Sequence, residues 1–403
     1  LSSRPPVTRE RRLALILLLG SLTALPALSI DLYLPALPGI ADDLGTTLGA
    51  VQGTLSVFFA GMAFGQLLYG PLSDRFGRRI PLLVGLAVYV AASVLCAFAP
   101  SIEWLWTGRL GQALGGCAAV VISRAAVRDL FDPVESARVF SRLILVMGAA
   151  PIFAPLLGGQ ILRFADWRAI FGCLIAFGIA CGIAVYRGLP ETHAGTRGAA
   201  RPAVALRTYG ALLADRAFLW PALTTGLAQG SLFAYLVSSP AVLIDQYGVD
   251  PQAFGWFFGL NGLGIIGASQ VNARLLRRTP LDRLLARGML GFTLAAAATG
   301  VVGLVGLGGP WGISACWFAM LTSLGFVTAN ATARALASQG ARAGSASALI
   351  GALQFGTGFV SGSLVAALTA WPRVGTPAHA AALVIAAFAL ASHGCSRRLR
   401  SHG

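Results

Sequence analysis

The chain has 403 residues, 56% of them hydrophobic and only 11% charged, with a mean hydropathy of +0.75. Soluble domains carry about 25% charged residues, so this composition excludes a soluble enzyme, a disordered chain and a collagen-like or disulfide-stapled fold. The formal net charge is +15 and all 30 basic residues are arginine, but they fall in short gaps between apolar runs, which points to membrane orientation rather than to nucleic acid.

A helix needs about 20 apolar residues to cross a bilayer core. Twelve such stretches follow one another. They lie near 13–34, 49–69, 81–99, 104–127, 137–162 and 168–186, then near 217–239, 253–273, 284–305, 311–335, 345–370 and 377–393. The first is expected to remain as a membrane helix, being too long for a cleaved signal peptide and lacking a small-residue cleavage site before a soluble domain. Twenty-six arginines fall in or near the two tails and every second gap. The opposite gaps hold only Arg163, Arg168 and Arg373, and carry Asp42, Asp43, Glu103, Asp166, Asp245 and Asp250. The positive-inside rule then places both termini in the cytoplasm. Arg109 is left over, inside span four.

The longest polar stretch, about Arg187 to Arg216, contains Pro190, Gly195, Gly198 and Pro202 and reads as a flexible linker. It divides the chain into a six-helix bundle at residues 1–190, a cytoplasmic linker at 191–215 and a second six-helix bundle at 216–403. Short basic gaps after spans two and eight, GPLSDRFGRR and NARLLRRTPLDR, form a faint internal repeat. The expected architecture is an all-α membrane protein of 12 transmembrane helices in two six-helix bundles with pseudo-two-fold symmetry. Such halves suit a rocking-bundle transporter with its substrate near the midplane. The six cysteines form no C-x-x-C and five lie in apolar runs, so they read as small buried hydrophobes. No metal cluster, nucleophile–base set, phosphate-binding loop or selectivity-filter pattern is apparent, and neither an enzyme nor a channel is expected.

The run Gly70-Pro71-Leu72-Ser73-Asp74-Arg75-Phe76-Gly77-Arg78-Arg79 is the strongest local signal. Gly70 and Gly77 allow close approach and a tight turn. Asp74 is an anion at a helix end, able to accept from a neighbouring helix N-terminus or to pair with an arginine. An ordinary basic loop would also be rich in arginine, but not in this ordered spacing. The run resembles the signature of the major facilitator superfamily between spans two and three. On that reading Asp74 locks the two halves at the cytoplasmic side, touching the start of span eleven near Ser345 and an arginine such as Arg124 or Arg128.

Further segments narrow the resemblance: Ser29-Ile30-Asp31-Leu32-Tyr33-Leu34-Pro35 ending span one, Gly108-Arg109-Leu110-Gly111-Gln112 and Ser123-Arg124-Ala125-Ala126-Val127-Arg128-Asp129 in span four, Ala150 to Gly159 in span five, then Trp167-Arg168 and Leu189-Pro190-Glu191-Thr192. Together they look like the Bcr/CflA drug-resistance branch of the drug:proton antiporters. The resemblance implies a monomeric exporter of the bacterial inner membrane that trades protons inward for drugs outward, with a small-molecule drug, protons and the lipid bilayer as partners. No cofactor and no nucleic acid are implied.

Asp31 is expected about three residues, roughly 5 Å, from the outer end of span one, and Arg109 about five residues, roughly 8 Å, inside span four. Opposite charges at similar depth suggest a proton site at Asp31 whose ionised form is favoured when Arg109 approaches. Two blander readings stay open: Asp31 as an interfacial helix cap, and Arg109 as a structural donor to span-one carbonyls. The family resemblance ties the motif arginine, Arg109, to proton coupling. In span five, Pro151, Pro155, Gly158 and Gly159 resemble the antiporter motif, with Ala154 where glycine is typical. Proline kinks the helix and small residues let it seal against span eight, which holds Gly259, Gly262, Gly264 and Gly267. Candidate substrate contacts are Tyr33, Phe58, Phe59 and Gln112 in the first half, and Gln229, Phe233, Tyr235, Asn261 and Gln354 in the second. With few acids in the second half, neutral or zwitterionic drugs fit better than multivalent cations. A proton-coupled transporter of a sugar or metabolite on the same fold, or a membrane receptor, is the alternative.

Overall fold

The computed structural model describes residues 9–192 and 202–400. Parts of the expected tail and linker, Arg4, His193, Gly195, Arg197, Gly198 and Arg201 among them, lie outside the described residues. Among the described residues the regular elements are all helical, in the order α1 (Arg9–Asp31), α2 (Leu37–Asp43), α3 (Leu48–Phe76), α4 (Arg79–Ala97), α5 (Ile102–Leu130), α6 (Pro133–Phe164), α7 (Arg168–Gly188), α8 (Pro202–Ala214), α9 (Arg216–Pro240), α10 (Pro251–Leu275), α11 (Leu281–Val305), α12 (Gly309–Leu336), α13 (Ala343–Thr369) and α14 (Pro377–Arg400). All but α2 and α8 are long, and these twelve match the twelve expected spans. Ten stretches of the described chain are long and apolar enough by themselves to cross a membrane. Phe64, Ile183, Leu290, Leu294 and Leu390 are exposed large hydrophobics, as lipid-facing positions must be.

Several helix starts follow from local capping. Thr47, Asp132, Asp215 and Asp250 accept from backbone N–H groups in the first turns of α3, α6, α9 and α10, where orphan donors otherwise remain. Pro155 and Pro151 sit within a continuous α6.

The two halves repeat one packing scheme. In the first, α4 packs on α5 and α7, α3 on α5, and α1 on α5, α6 and α7. In the second, α11 packs on α12 and α14, α10 on α12, and α9 on α12, α13 and α14. Each pair maps onto its counterpart six spans later. Between halves the main contacts are α3 with α13 and α6 with α10, which exchange under the same mapping, as a pseudo-two-fold axis requires. Small residues permit the close approach. A Cβ on Gly115 would lie 2.5 Å from the Gly85 carbonyl oxygen, and one on Gly49 would lie 2.7 Å from the Ala366 carbonyl oxygen across the halves.

Two expectations need correction. Span one does not end near residue 34. After α1 stops at Asp31, a 3-10 turn at Leu34–Ala36 leads into α2, and the apolar segment runs from Leu13 to Asp43. Asp31 is therefore twelve residues from its end, deep in the bundle and no interfacial cap. The polar stretch between the halves is not loop alone: residues 202–214 form α8, which buries Leu212 against Phe218, Ala346, Leu349 and Ile350. Of the cysteines, Cys96, Cys117 and Cys181 are buried, Cys316 and Cys395 are half-buried, and Cys173 is exposed.

Candidate functional site

A cavity of about 200 Å³ lies between the halves, lined from α1, α3, α5 and α6 on one side and α9, α10, α12 and α13 on the other. On α1 the lining positions are Thr23, Pro26, Ala27, Ile30 and Asp31, one face at helical spacing. Ser29 turns the other way, into the first half. Most of the lining is apolar; Phe233, Phe258, Phe355 and Met62 contribute to the walls. Among the described residues, Asp31 and Arg124 are the two charged lining residues, and Asp31 is the single carboxyl. Asp31 is 4% exposed and makes no hydrogen bond or ion pair with any described residue. Its electrostatic neighbour is Tyr235, whose hydroxyl accepts from Asn261 Nδ2 at 3.0 Å.

Arg109 does not face this cavity and does not pair with Asp31. It is fully buried in the first half. Its Nη1 donates to the Ser29 carbonyl at 3.0 Å and to Gln112 Oε1, and Gln112 Nε2 donates to Ser93 Oγ at 2.9 Å. The guanidinium lies 4.5 Å from the ring centroids of both Tyr33 and Phe58. The physical reason is the end of α1. The Tyr33 N–H bonds to Ile30 rather than to Ser29, so the Ser29 carbonyl is one of the acceptors a helix end leaves open. In a membrane interior such an acceptor needs a donor from the protein, and Arg109 supplies it. Of the two open readings, donation to a span-one carbonyl is the one this conformation shows. Tyr33 is held in turn: the Thr54 hydroxyl donates to Val51 O at 2.6 Å, so the Tyr33 hydroxyl donates to Thr54 at 3.0 Å.

Among the nine expected substrate residues, Phe233, Tyr235 and Asn261 line the cavity. Phe59 backs it, its ring centroid 4.3 Å from that of Phe233. Tyr33, Phe58 and Gln112 belong to the Arg109 cage instead. Gln354 donates to Thr225 Oγ1 at 3.2 Å, and neither it nor the half-buried Gln229 lines the cavity. Met62, Gln66, Arg124 and Phe355 were missed. Phe59, Met62 and Gln66 recur at i, i+3 and i+7, a spacing that could have exposed that face.

The antiporter-like helix α6 touches both halves. Pro151 lines the cavity. A Cβ on Gly158 would lie 2.3 Å from the Leu32 carbonyl oxygen, and one on Gly159 would lie 2.6 Å from that of Pro251. Gly255, Gly259 and Gly262 of α10 meet Leu156 and Ile152 of α6. Gly264 instead faces Phe318 and Thr322 of α12, and Gly267 has open space. At this end of the bundle Gln52 Nε2 also crosses between halves to the Val237 carbonyl at 3.1 Å, so the halves are closed against each other at the face opposite the arginine-rich one.

At the arginine-rich face the Gly70–Arg79 run forms a compact network. Gly77 has φ +82°, and a Cβ there would sit 2.6 Å from Glu191 Oε2, so its glycine is required twice over. No atom lies within 4 Å of a Cβ at Gly70, so the expected close approach is absent there. Arg78 joins the run to α5: Nη1 contacts Asp74 Oδ1 at 2.5 Å and Ser73 Oγ at 2.8 Å, and Nε contacts Asp129 Oδ2 at 2.9 Å. Burial works against its charge, but the bonds to Asp129 and Asp74 outweigh it and its pKa is raised. Glu191 accepts from the Arg78 and Arg79 backbone N–H groups at 2.8 and 3.1 Å, binding the end of the first half to the start of α4. Arg75 and Arg79 stack on Phe76 and Tyr186. Asp74 thus pairs with Arg78 of its own run and not with Arg124 or Arg128. At the start of α13 it is Arg128 Nη1 that stands 3.8 Å from a Cβ at Gly344.

Residues 19–366 match the family model described as Major Facilitator Superfamily. The chain is 38% identical over 362 residues to YdgK of Bacillus subtilis, described as an uncharacterized MFS-type transporter, covering 89% of this chain and 90% of that one. It is 33% identical over 393 residues to a bicyclomycin resistance protein homolog of Haemophilus influenzae, covering 96% and 98%. The crystal structure of a D-xylose-proton symporter superposes with a TM-score of 0.72 over 95% of this chain and 97% of that one, at 14% identity.

Proposed function

The chain belongs to the Major Facilitator Superfamily, and on that premise we propose that it exports small amphipathic drugs in exchange for protons. The observation that carries this reading is the cavity between the halves, walled by apolar and aromatic side chains and holding, among the described residues, a single carboxyl, Asp31. An apolar drug fills such a space with few hydrogen bonds. A sugar would need a partner for each hydroxyl, whereas among the described residues fourteen of the twenty lining side chains are apolar and six, Thr23, Asp31, Gln66, Arg124, Tyr235 and Asn261, are polar or charged. The resistance protein homolog of Haemophilus influenzae supports the same choice by its name.

The halves rock about the cavity, which opens alternately to the two sides. Opened outward, the cavity lets Asp31 take a proton as the drug leaves. Opened inward, Asp31 returns the proton to the cytoplasm and drug binds again. Arg109 fixes the end of α1 and so positions Asp31; it takes no proton itself. Gly158 and Gly159 seat α6 on α1 and α10 at the outer gate. The Asp74–Arg78–Asp129 network with Glu191 holds the inner ends of the first half together. Both termini lie in the cytoplasm, the protein acts as a monomer in the bacterial inner membrane, and residues 191–215 join a bundle at 1–190 to one at 216–403.

Expression in a drug-sensitive bacterium tests the reading. Inhibitory concentrations across a compound panel should rise, and a protonophore should abolish the rise. Greater sensitivity, or resistance indifferent to the protonophore, would count against export by proton exchange.

A further inference from the structure

The second charge in the cavity, Arg124, has no partner among the described residues. Arg124 lines the cavity and is exposed, yet its side chain makes no hydrogen bond or ion pair with any described residue. Its electrostatic neighbours are the Cys117 thiol and a second cation, Arg128, one turn further along α5. An unpaired guanidinium inside a helix bundle is costly and is retained where something is bound or moved. Arg124 also stands at the opposite end of the cavity from Asp31. Arg109 reaches the Ser29 carbonyl at the outer level, and Arg124 is fifteen residues further toward the arginine-rich face on α5. On α1 the lining runs eight residues from Asp31 to Thr23, about 12 Å of helix. The Asp31 end collects acceptors: beside the carboxyl, Asn261 spends its amide N–H on Tyr235 and leaves Oδ1 buried and without a partner.

One end of the cavity therefore offers a cation and the other a carboxyl with a free amide oxygen, with aromatic walls between. We propose that Arg124 docks an anionic group of the exported compound, and that the preferred substrates are elongated amphipathic zwitterions with a carboxylate at Arg124 and an ammonium against Asp31 and Asn261. This rests on the exporter reading above and names its substrate class.

Three probes separate the charges: norfloxacin, with a carboxylate and a piperazinium; its methyl ester, with the cation alone; and N-acetylnorfloxacin, with the anion alone. Accumulation is measured in everted membrane vesicles under an imposed pH gradient, with chloramphenicol as a neutral reference. The wild type should prefer norfloxacin over its methyl ester by about tenfold, the scale of a lost charge-assisted hydrogen bond. Arg124→Gln should bring that ratio close to one, and Arg124→Lys should restore most of it. Because the ratio is read within one variant, differences in folding or expression cancel; a variant too inactive to give a ratio is replaced by the lysine variant and norfloxacin binding to purified protein. A wild type that carries the ester as well as norfloxacin, or an Arg124→Gln protein that keeps the preference, overturns the proposal. Transport of chloramphenicol without norfloxacin also overturns it while sparing the exporter reading. Transport of none of the four in the wild type overturns the exporter reading itself.

Discussion

Gly158 is the point where α6 bears on the break in span one, and the contact is close enough to predict its failure. A Cβ there would lie 2.3 Å from the Leu32 carbonyl oxygen and 3.1 Å from Pro35 Cγ. Ordinary carbon–oxygen contact is about 3.3 Å, so Gly158→Ala must move Leu32, the residue after Asp31, or α6 by about 1 Å. Overpacking of this kind costs about 1–3 kcal/mol. The same substitution at Gly182 in α7 meets no atom within 4 Å and gains about 1 kcal/mol of helix propensity. Gly158 lies inside a helix as well and gains the same propensity, so the two alanine variants should differ by the overpacking alone, about 1–3 kcal/mol, in thermal unfolding of the purified protein, with Gly158→Ala the weaker. Proton-driven drug export should fall about fivefold or more in Gly158→Ala, each kcal/mol of misplacement being worth about a factor of five. If Gly158→Ala matched Gly182→Ala in both measurements, α6 would not position the end of α1.

Two other substitutions probe the supports around the cavity. Arg78→Ala strips partners from Ser73, Asp74 and Asp129; with Asp74 half exposed the loss is discounted to about 2 kcal/mol, Arg78→Lys recovers little of it for want of the planar fork, and thermal unfolding indistinguishable from wild type would contradict the network. Arg109→Gln leaves the Ser29 carbonyl buried without its donor, a loss of about 1–3 kcal/mol, and should uncouple export from the proton gradient; undiminished proton-driven export would show that Arg109 positions nothing.

The spans were legible because lipid imposes long apolar runs, and the orientation expectation rests on arginine counts that need no fold. Gly77 was legible for the same local reason, since a positive φ at a tight turn selects glycine. The depth of Asp31 was not. Pro35, Pro38, Asp42 and Asp43 read as the start of a loop, whereas the chain turns once through a 3-10 segment and continues as α2. The supposed Asp31–Arg109 pair failed on helix geometry: Ser29 and Asp31 are two residues apart, hence about 200° apart around α1, and Arg109 reaches the one while the cavity receives the other. Glu191 lies more than a hundred residues from the backbone N–H groups it caps, so no local pattern could place it there. From the sequence Arg124 is a cytoplasmic arginine and a candidate partner of Asp74, because charge counts record the side of a residue but not the direction of its side chain.

The account turns on Asp31 as the proton-exchanging group of the central cavity. The direct measurement is drug accumulation in everted vesicles under an imposed pH gradient, comparing wild type with Asp31→Asn at equal protein content, for a compound to which the chain confers resistance. Asparagine keeps the size of the side chain and removes its titration. Wild-type vesicles should accumulate drug and lose it on addition of a protonophore, and Asp31→Asn vesicles should show no gradient-driven accumulation. Accumulation in the variant equal to wild type, and still sensitive to the protonophore, would contradict the account.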